Sequence, residues 1–237
     1  YGMRGVASVS NLPGARQGAN GWVSSGGDLF LFGGQGYGTT TTLGFLNDVW
    51  RYRPSTNEWT WVSGSNVLNA GAVFGTQGVG SINNSRLAAT SWTDGSGNCW
   101  LFGGFNNNRF SDLWKYDPAT NEWTWVGGST SQNQRGNYGT RGVANAGNSP
   151  GARLDAFGWV APTGTLFLMG GSGFDASGNN SFLNDLWSYE PGSGQWTWLS
   201  GNNLVNQGGV YGSKGTEAPA NVPGARLGAL SWRDATG

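Results

Sequence analysis

The chain has 237 residues, including 44 glycines and 14 tryptophans, and only 11% of them are charged, with a formal net charge of zero. Glycine-rich chains are often disordered, but disordered chains lack aromatic residues, which make up 14% here, so a packed core is expected. The balanced charge argues against a nucleic-acid partner, and no apolar run reaches the roughly 20 residues of a membrane span.

Four landmarks recur along the chain in a fixed order. The first is an arginine followed six residues later by a tryptophan, and three of the four arginines stand in "PGAR". The second is an apolar segment that ends in a glycine pair, as in "LFLFGG", "CWLFGG" and "LFLMGG". The third is "NDVWRY", "SDLWKY" and "NDLWSY", and the fourth is "NEWTWV", which occurs twice and returns as "GQWTWL". The arginines, which recur every 70, 67 and 73 residues, are Arg16, Arg86, Arg153 and Arg226.

Each landmark predicts a short strand, because aromatic and branched residues lie between turn signals such as "RPSTN" and "DPATN". Four antiparallel strands joined by short turns form one blade of a β-propeller. The fold class is therefore predicted to be all-β. Complete blades are expected near residues 14–63, 84–127 and 151–200, with an incomplete repeat at 223–237.

The tryptophans are interpreted as packing residues of the repeat rather than as platforms for sugar rings. Thirteen of the 14 occupy four repeat positions, and residues two apart in a strand share a face. A sugar platform would occur at one special place. The predicted repeat core contains Trp22, Trp50, Trp59, Trp61, Trp92, Trp114, Trp123, Trp125, Trp159, Trp187, Trp196 and Trp198, and Trp59, Trp123 and Trp196 are expected between blades.

The repeated arginines have two interpretations. They either mark a ring of binding residues, or each pairs with an acidic group of its own blade, such as Asp48 or Glu58; pairing is favoured. The long segments after the second strand of each blade, at 35–46, 105–111 and 172–183, are predicted to be loops on one face. Binding residues often lie on such loops. Candidate contacts are Tyr37, Asn106, Arg109, Phe174 and Asp175, because they differ between copies.

The glycine pair, the downstream tyrosine (Tyr52, Tyr116 and Tyr189) and the later tryptophan resemble the kelch motif. With "PGAR" and "NEWTWV", the chain is similar to long-period kelch proteins of bacteria, which are often exported. Many kelch units have a histidine three residues after the arginine, where this chain has Ala19, Ala89, Ala156 and Ala229. The resemblance implies a β-propeller, and its long-loop face is the surface expected to contact protein or glycan.

No chemistry is predicted from the sequence. Some kelch propellers are copper enzymes like galactose oxidase, but this chain has no histidine, which is the commonest copper or zinc ligand and general base. Cys99 is the only cysteine, is expected to pack inside a strand, and allows no intrachain disulfide. No catalytic residue, metal ligand or cofactor is therefore proposed.

The sequence predicts a non-enzymatic binding or scaffold propeller of a bacterial exported or surface protein. The lysine-poor composition, rich in Asn, Ser, Thr and Gly, favours the extracellular location. Two alternatives stay open: part of a carbohydrate-active or galactose-oxidase-like enzyme whose active site lies elsewhere, and a building block of an extracellular filament. Because three blades do not close a propeller, the rest of a longer chain or neighbouring subunits are expected to complete it.

Overall fold

A computed structural model describes residues 1–81 and 83–231, and this part of the chain is all-β, without a helix. The predicted fold class is confirmed at that level. In the described residues no helix is long and apolar enough to cross a membrane. The chain forms two compact units: the first contains Tyr1–Asn107 and Asp112–Gly127, and the second contains Asn108–Ser111 and continues from Gly128.

The first repeat forms a four-stranded antiparallel sheet with the order β2-β3-β6-β7 and a smaller sheet with the order β1-β4-β5. Each of the four main strands carries one of the landmarks. The short turns between them are the ones that the sequence predicted. The strands are β1 (Arg16–Gln17), β2 (Asn20–Val23), β3 (Leu29–Phe32), β4 (Gln35–Tyr37), β5 (Leu43–Phe45), β6 (Val49–Arg53) and β7 (Glu58–Ser63).

The second repeat forms a five-stranded sheet with the order β8-β12-β11-β10-β9. Its four long strands again follow the landmarks, and the short β8 is added at the outer edge beside Trp123. The strands are β8 (Gly80–Ser81), β9 (Thr90–Thr93), β10 (Cys99–Phe102), β11 (Ser111–Asp117) and β12 (Glu122–Ser129).

The third repeat has the order β13-β15-β16-β17, and β14 also pairs with β15. Residues 223–231 form no strand, and the end of the predicted incomplete repeat, including Trp232, lies outside the described residues. The strands are β13 (Arg153–Leu154), β14 (Phe157–Val160), β15 (Leu166–Phe174), β16 (Asn180–Glu190) and β17 (Gln195–Ser200).

Two segments that were predicted as loops are β-hairpins. Residues 35–46 contain β4 and β5, which pair from Gln35 with Phe45 to Tyr37 with Leu43. Residues 172–183 are the continuation of β15 and β16. The prediction was wrong here because the turn of the first hairpin is confined to residues 38–42, "GTTTT", while the flanking backbone is extended.

The glycine pair permits a close approach between successive repeats. Gly33 and Gly34 have φ of 66° and 94°, a region that residues with a Cβ rarely adopt. A Cβ at Gly33 would lie 2.7 Å from the carbonyl oxygen of Arg86. The amide of Gly34 donates to that same oxygen at 2.8 Å, and the amide of Arg86 donates to the oxygen of Leu46 at 3.1 Å. Main-chain groups therefore join the first repeat to the second.

A buried arginine–aspartate pair lies inside every complete repeat, as the favoured interpretation predicted for Asp48. Arg153 donates from Nη1 and Nη2 to the two carboxylate oxygens of Asp185 at 2.8 and 2.7 Å. Nη1 also donates to the oxygen of Gly170, and the indole of Trp187 donates to Asp185. Neither charged side chain is exposed. The other two pairs are Arg16 with Asp48 and Arg86 with Asp112.

An aromatic residue from the preceding linker covers each pair. The hydroxyl of Tyr138 donates to Asp185 at 2.6 Å, and its ring packs on Trp187 and Trp198. Burial and then the Asp185 charge raise the pKa of Tyr138, so the hydroxyl stays a donor. Tyr1 donates to Asp48 in the same way. The second repeat has Phe74 at this position, packed on the corresponding tryptophans without a hydroxyl.

The tryptophans differ in burial. Trp123, 2% exposed, packs against Phe32 of the first repeat with ring centroids 4.7 Å apart. Trp59 is only partly buried, contrary to expectation, and it packs against Trp50 and Tyr52 of its own sheet. The buried members of the predicted set are Trp22, Trp50, Trp92, Trp114, Trp123, Trp187 and Trp196, and the partly buried ones are Trp59, Trp61, Trp125, Trp159 and Trp198.

Replacing Asp185 by Asn is expected to lower the free energy of unfolding by about 3–5 kcal/mol, because Arg153 would remain buried without a counter-charge. Thermal and chemical denaturation followed by tryptophan fluorescence measure the change. Arg53→Ala is the control. Its contact with Asp28, 3.4 Å long, is partly exposed, so a loss of about 0–1 kcal/mol is expected. Equal losses in the two variants would contradict the structural role of the buried pair.

Tyr138→Phe and Phe74→Tyr form a matched test of the linker hydroxyl. Tyr138→Phe is expected to destabilise the protein by about 1–2 kcal/mol, since Asp185 loses one buried donor. Phe74→Tyr supplies Asp112 with the donor that the other two aspartates have and should raise the melting temperature. A lower melting temperature for Phe74→Tyr would show that the second repeat has no room for the hydroxyl.

Candidate binding site

The predicted contact residues lie in different environments. In the first unit, Tyr37 lies on β4 and is 43% exposed, whereas Asn106 is partly buried and donates to the side chain of Asn84 at 3.4 Å. In the second unit, Arg109 is partly buried and donates to the oxygen and hydroxyl of Ser172 at 3.2 and 3.1 Å. Their role in binding stays a prediction, and Tyr37 is the most accessible of these three side chains.

The other two candidates lie at the end of β15. Phe174 is its last residue and is partly buried. Asp175 is buried and holds a turn, because its carboxylate accepts hydrogen bonds from the amides of Ser177 and Asn179 at 2.8 Å each and of Val205 at 3.2 Å. Burial raises the pKa of Asp175, but the hydrogen bonds from Asn179 and its neighbours outweigh it and lower the pKa. Asp175 therefore stabilises its own turn, and its role in ligand contact stays a prediction.

A cavity of about 350 Å³ lies in the first unit. Its wall is formed by the end of β7, the connection that follows it, and residues of the second repeat. The residues that matter for its chemistry are Arg4, Trp61, Asn83 and Trp123. No acidic residue is among the described residues that line it.

Asn83 occupies a position that proline holds elsewhere. The second repeat has "NNSR" where the others have "PGAR", so Asn83 corresponds to Pro13 and Pro150. Its carbonyl oxygen accepts a hydrogen bond from Asn47 at 3.0 Å, as the oxygen of Pro223 does from Asn184. The backbone contact is thus independent of the side chain.

The side chain of Asn83 is buried without a hydrogen bond. The residue is 1% exposed, and neither Oδ1 nor Nδ2 has a partner among the described residues. The indole nitrogen of Trp123, on the same cavity, is also buried without a partner. Leaving such groups unpaired costs about 1–3 kcal/mol each. Three polar atoms of these two side chains are therefore buried without a hydrogen bond.

Arg4 adds a positive charge to the wall. It corresponds to Arg141 of the third repeat, whose Cζ lies 4.3 Å from the centroid of the Trp198 ring and whose Nη2 donates to Gly201. Arg4 is held more loosely, 6.0 Å from the centroid of Trp61, with one 3.5 Å hydrogen bond to Val62. It forms no ion pair in the part of the chain that the structure describes.

A second cavity, of about 570 Å³, lies in the second unit beside Arg135, Tyr138 and Asn203. Within the described ranges, its lining contributes no buried side-chain polar atom that lacks a hydrogen bond. It therefore has no unsatisfied group comparable with Asn83.

Sequence reasoning did not identify Asn83. The available signal was Arg86, which stands in "NNSR" whereas the other three arginines stand in "PGAR". The second repeat therefore departs from the repeat pattern at this stretch. Asn84 of the same stretch is explained by its contact with Asn106. Ser85 is buried, and its hydroxyl has no partner, but Ser85 does not line the cavity.

The described residues offer neither a cluster of metal ligands nor a reactive thiol. No group of three His, Cys, Asp or Glu side chains that could hold a metal was found among the residues described. Cys99 is buried, and its pKa is raised by burial and then by the Asp94 charge, which disfavours the reactive thiolate.

Cys99 is expected to be unreactive toward a thiol reagent such as 5,5′-dithiobis(2-nitrobenzoate) in the native protein, because its thiol is inaccessible and protonated. One equivalent should react after unfolding in guanidinium chloride. Rapid stoichiometric labelling of the folded protein would contradict the buried position.

Comparison with known proteins identifies two kelch motifs. One family model of the kelch motif matches residues 19–66, and a second matches residues 96–124. These segments fall in the first and second repeats. No curated protein matches the chain significantly.

Proposed function

From the two kelch motifs of this chain, we propose a non-enzymatic binding or scaffold protein whose β4–β5 hairpin contacts a protein partner. Kelch repeats generally mediate protein binding or scaffolding. In this proposal the repeat sheets are arranged as blades of a propeller. The protein is located outside a bacterial cell. The lysine-poor composition supports the extracellular location.

The observation that carries this proposal is the pair of exposed apolar side chains on the hairpin. Tyr37 and Leu43 are directly paired across β4 and β5 and are 43% and 55% exposed. Paired residues of adjacent strands project to the same face, so the two side chains form one ordered apolar surface. Tyrosine and other aromatic residues are enriched in the central contacts of protein interfaces.

The hairpin is rigid enough to present these residues. The amide of Tyr37 donates to the oxygen of Ala15 at 3.1 Å, and β1 pairs with β4 through Arg16 and Gln17. On the other side, the amide of Phe45 donates to the side chain of Asn69 at 3.0 Å. A contact surface fixed by its own sheet loses little conformational entropy when a partner binds.

Site-directed photo-crosslinking tests the proposal. With p-benzoylphenylalanine at position 37, we expect one defined protein adduct in cells that produce the protein, identified by mass spectrometry. The adduct should disappear when Leu43→Ser is added, because the paired apolar contact is lost.

The matched control places the same crosslinker at Leu29, which is 41% exposed but begins β3, on the far side of the glycine pair from β4. No adduct is expected there. Equal crosslinking from positions 29 and 37, or none from position 37, would overturn the assignment of the hairpin as the contact surface.

A further inference from the structure

We propose that this chain associates head to tail with a second copy of itself. In the complex, the second copy accepts the segment that begins at Tyr211 in place of its own segment that begins at Tyr1. The surfaces involved differ from the exposed Tyr37–Leu43 pair, so this inference goes beyond the proposed protein contact. It depends on a folded linker with an exposed aromatic residue and on two matching aromatic faces.

Residues 211–221 are folded like the linker at residues 138–148. In both, the glycine after the tyrosine has a φ of 57°. Asn221 donates to the oxygen of Thr216 at 3.1 Å, and Asn148 makes the equivalent bond within its own linker. The segment therefore has its binding conformation before a partner is present, which lowers the entropic cost of association.

The side chains that attach the other linkers to a sheet are exposed in this segment. Tyr211 is 74% exposed, whereas its counterpart Tyr138 is 4% exposed and donates to Asp185. The guanidinium of Arg226 forms no ion pair in the described part of the chain, while its counterpart Arg153 is buried in one. The segment therefore fits a sheet that offers a buried carboxylate beside tryptophan rings.

The first repeat of a second copy supplies such a sheet. Its Asp48 accepts hydrogen bonds from Tyr1 and Arg16, and two tryptophans pack on the ring of Tyr1. Tyr211 and Arg226 occupy the corresponding positions of their own segment. They would make the same contacts after exchange, and such swapping of equivalent elements has a low energetic cost.

The segment is already fixed to the third repeat of the first copy. The amide of Gly171 donates to the oxygen of Arg226 at 2.8 Å, and the amide of Arg226 donates to the oxygen of Leu183 at 3.0 Å. Arg86 joins the second repeat to the first in the same way. The segment therefore stays in place in the complex, and the second copy releases the segment that begins at its own Tyr1.

The aromatic contacts between successive repeats show what the complex gains. In the first unit, Trp22 packs against Tyr116 and Trp123 of the second repeat, with ring centroids 5.4 and 6.5 Å apart. All three side chains are buried, and none is more than 6% exposed. Packing of the next repeat on a sheet face thus removes these rings from solvent, which is favourable.

The counterparts of these rings in the third and first repeats are less completely buried. Trp159 of the third repeat corresponds to Trp22. Tyr52 and Trp59 of the first repeat correspond to the tyrosine and tryptophan that cover Trp22. Trp159, Tyr52 and Trp59 are all only partly buried. In the complex, the third repeat of one copy packs against the first repeat of the other, so these rings become buried in aromatic pairs.

Matched substitutions at the two competing tyrosines test the exchange. Tyr1→Phe should raise the association constant at least about fivefold, because the second copy then holds its own segment without the hydrogen bond to Asp48. Tyr211→Phe should lower it at least about fivefold, because the incoming ring lacks the hydroxyl. The double variant should return close to the wild-type value. Sedimentation velocity of the purified full chain over a concentration series measures these constants.

The melting temperature separates association from folding. Tyr211 is exposed in the free chain, so Tyr211→Phe should leave the melting temperature of the dilute protein unchanged.

Crosslinking identifies the partner and the contact. p-Benzoylphenylalanine at position 211 is used in a mixture of isotope-labelled and unlabelled chains. We expect adducts that join a labelled to an unlabelled chain within residues 46–63, the part of the first repeat that contains Asp48. The control places the crosslinker at Val143, which is 51% exposed on a linker that covers its own sheet, and no adduct between chains is expected there.

Three results would overturn the proposal: a monomer at every concentration up to the solubility limit, equal association of Tyr1→Phe and Tyr211→Phe, or adducts from position 211 that stay within one chain or lie outside the first repeat. None of these results affects the crosslinking test at Tyr37.

Discussion

The structure depends on a buried ion pair that each complete repeat contains. Arg153 and Asp185 are fully removed from solvent and satisfy each other through two hydrogen bonds. Desolvation of two charges is unfavourable, and the pair is tolerated because the oxygen of Gly170, the indole of Trp187 and the hydroxyl of Tyr138 provide the remaining contacts. One carboxylate thereby positions two strands and a linker.

Much of the fold was predictable because this interaction imposes a sequence period. A tryptophan two residues after the aspartate is required by the hydrogen bond from its indole, so "NDLWSY" was recognisable. The hairpin of β4 and β5 was missed because it is held by main-chain contacts, such as Tyr37 with Ala15, which leave no residue signature. The partial exposure of Trp59 was missed because repeat spacing does not report which neighbour covers a side chain.

The candidate site was not predicted from residue types. The predicted contacts were residues that vary in loops, and they included Asp175, whose carboxylate accepts a hydrogen bond within the turn that contains Asn179. Asn83 lies in a stretch that looks like a degenerate copy of "PGAR". Only the structure shows that its side chain is buried and that its polar atoms lack hydrogen bonds. A departure from a repeat pattern at a buried position is thus more informative than variation at an exposed one.

The junction between successive repeats has an evolutionary consequence. The amides of Gly34 and Arg86 donate to the carbonyl oxygens of Arg86 and Leu46. Every residue except proline can supply the amide, and any residue can supply the carbonyl. This part of the junction is therefore independent of side chains, apart from the steric demand for glycine, while aromatic contacts such as that of Phe32 with Trp123 supply the rest. A duplicated repeat that keeps its own arginine, aspartate and packing aromatic residues can dock beside an existing copy, and its outer loops are free to diverge. Such an array can grow by gene duplication, and one copy can change at a buried position, as at Asn83, while the others keep the original sequence.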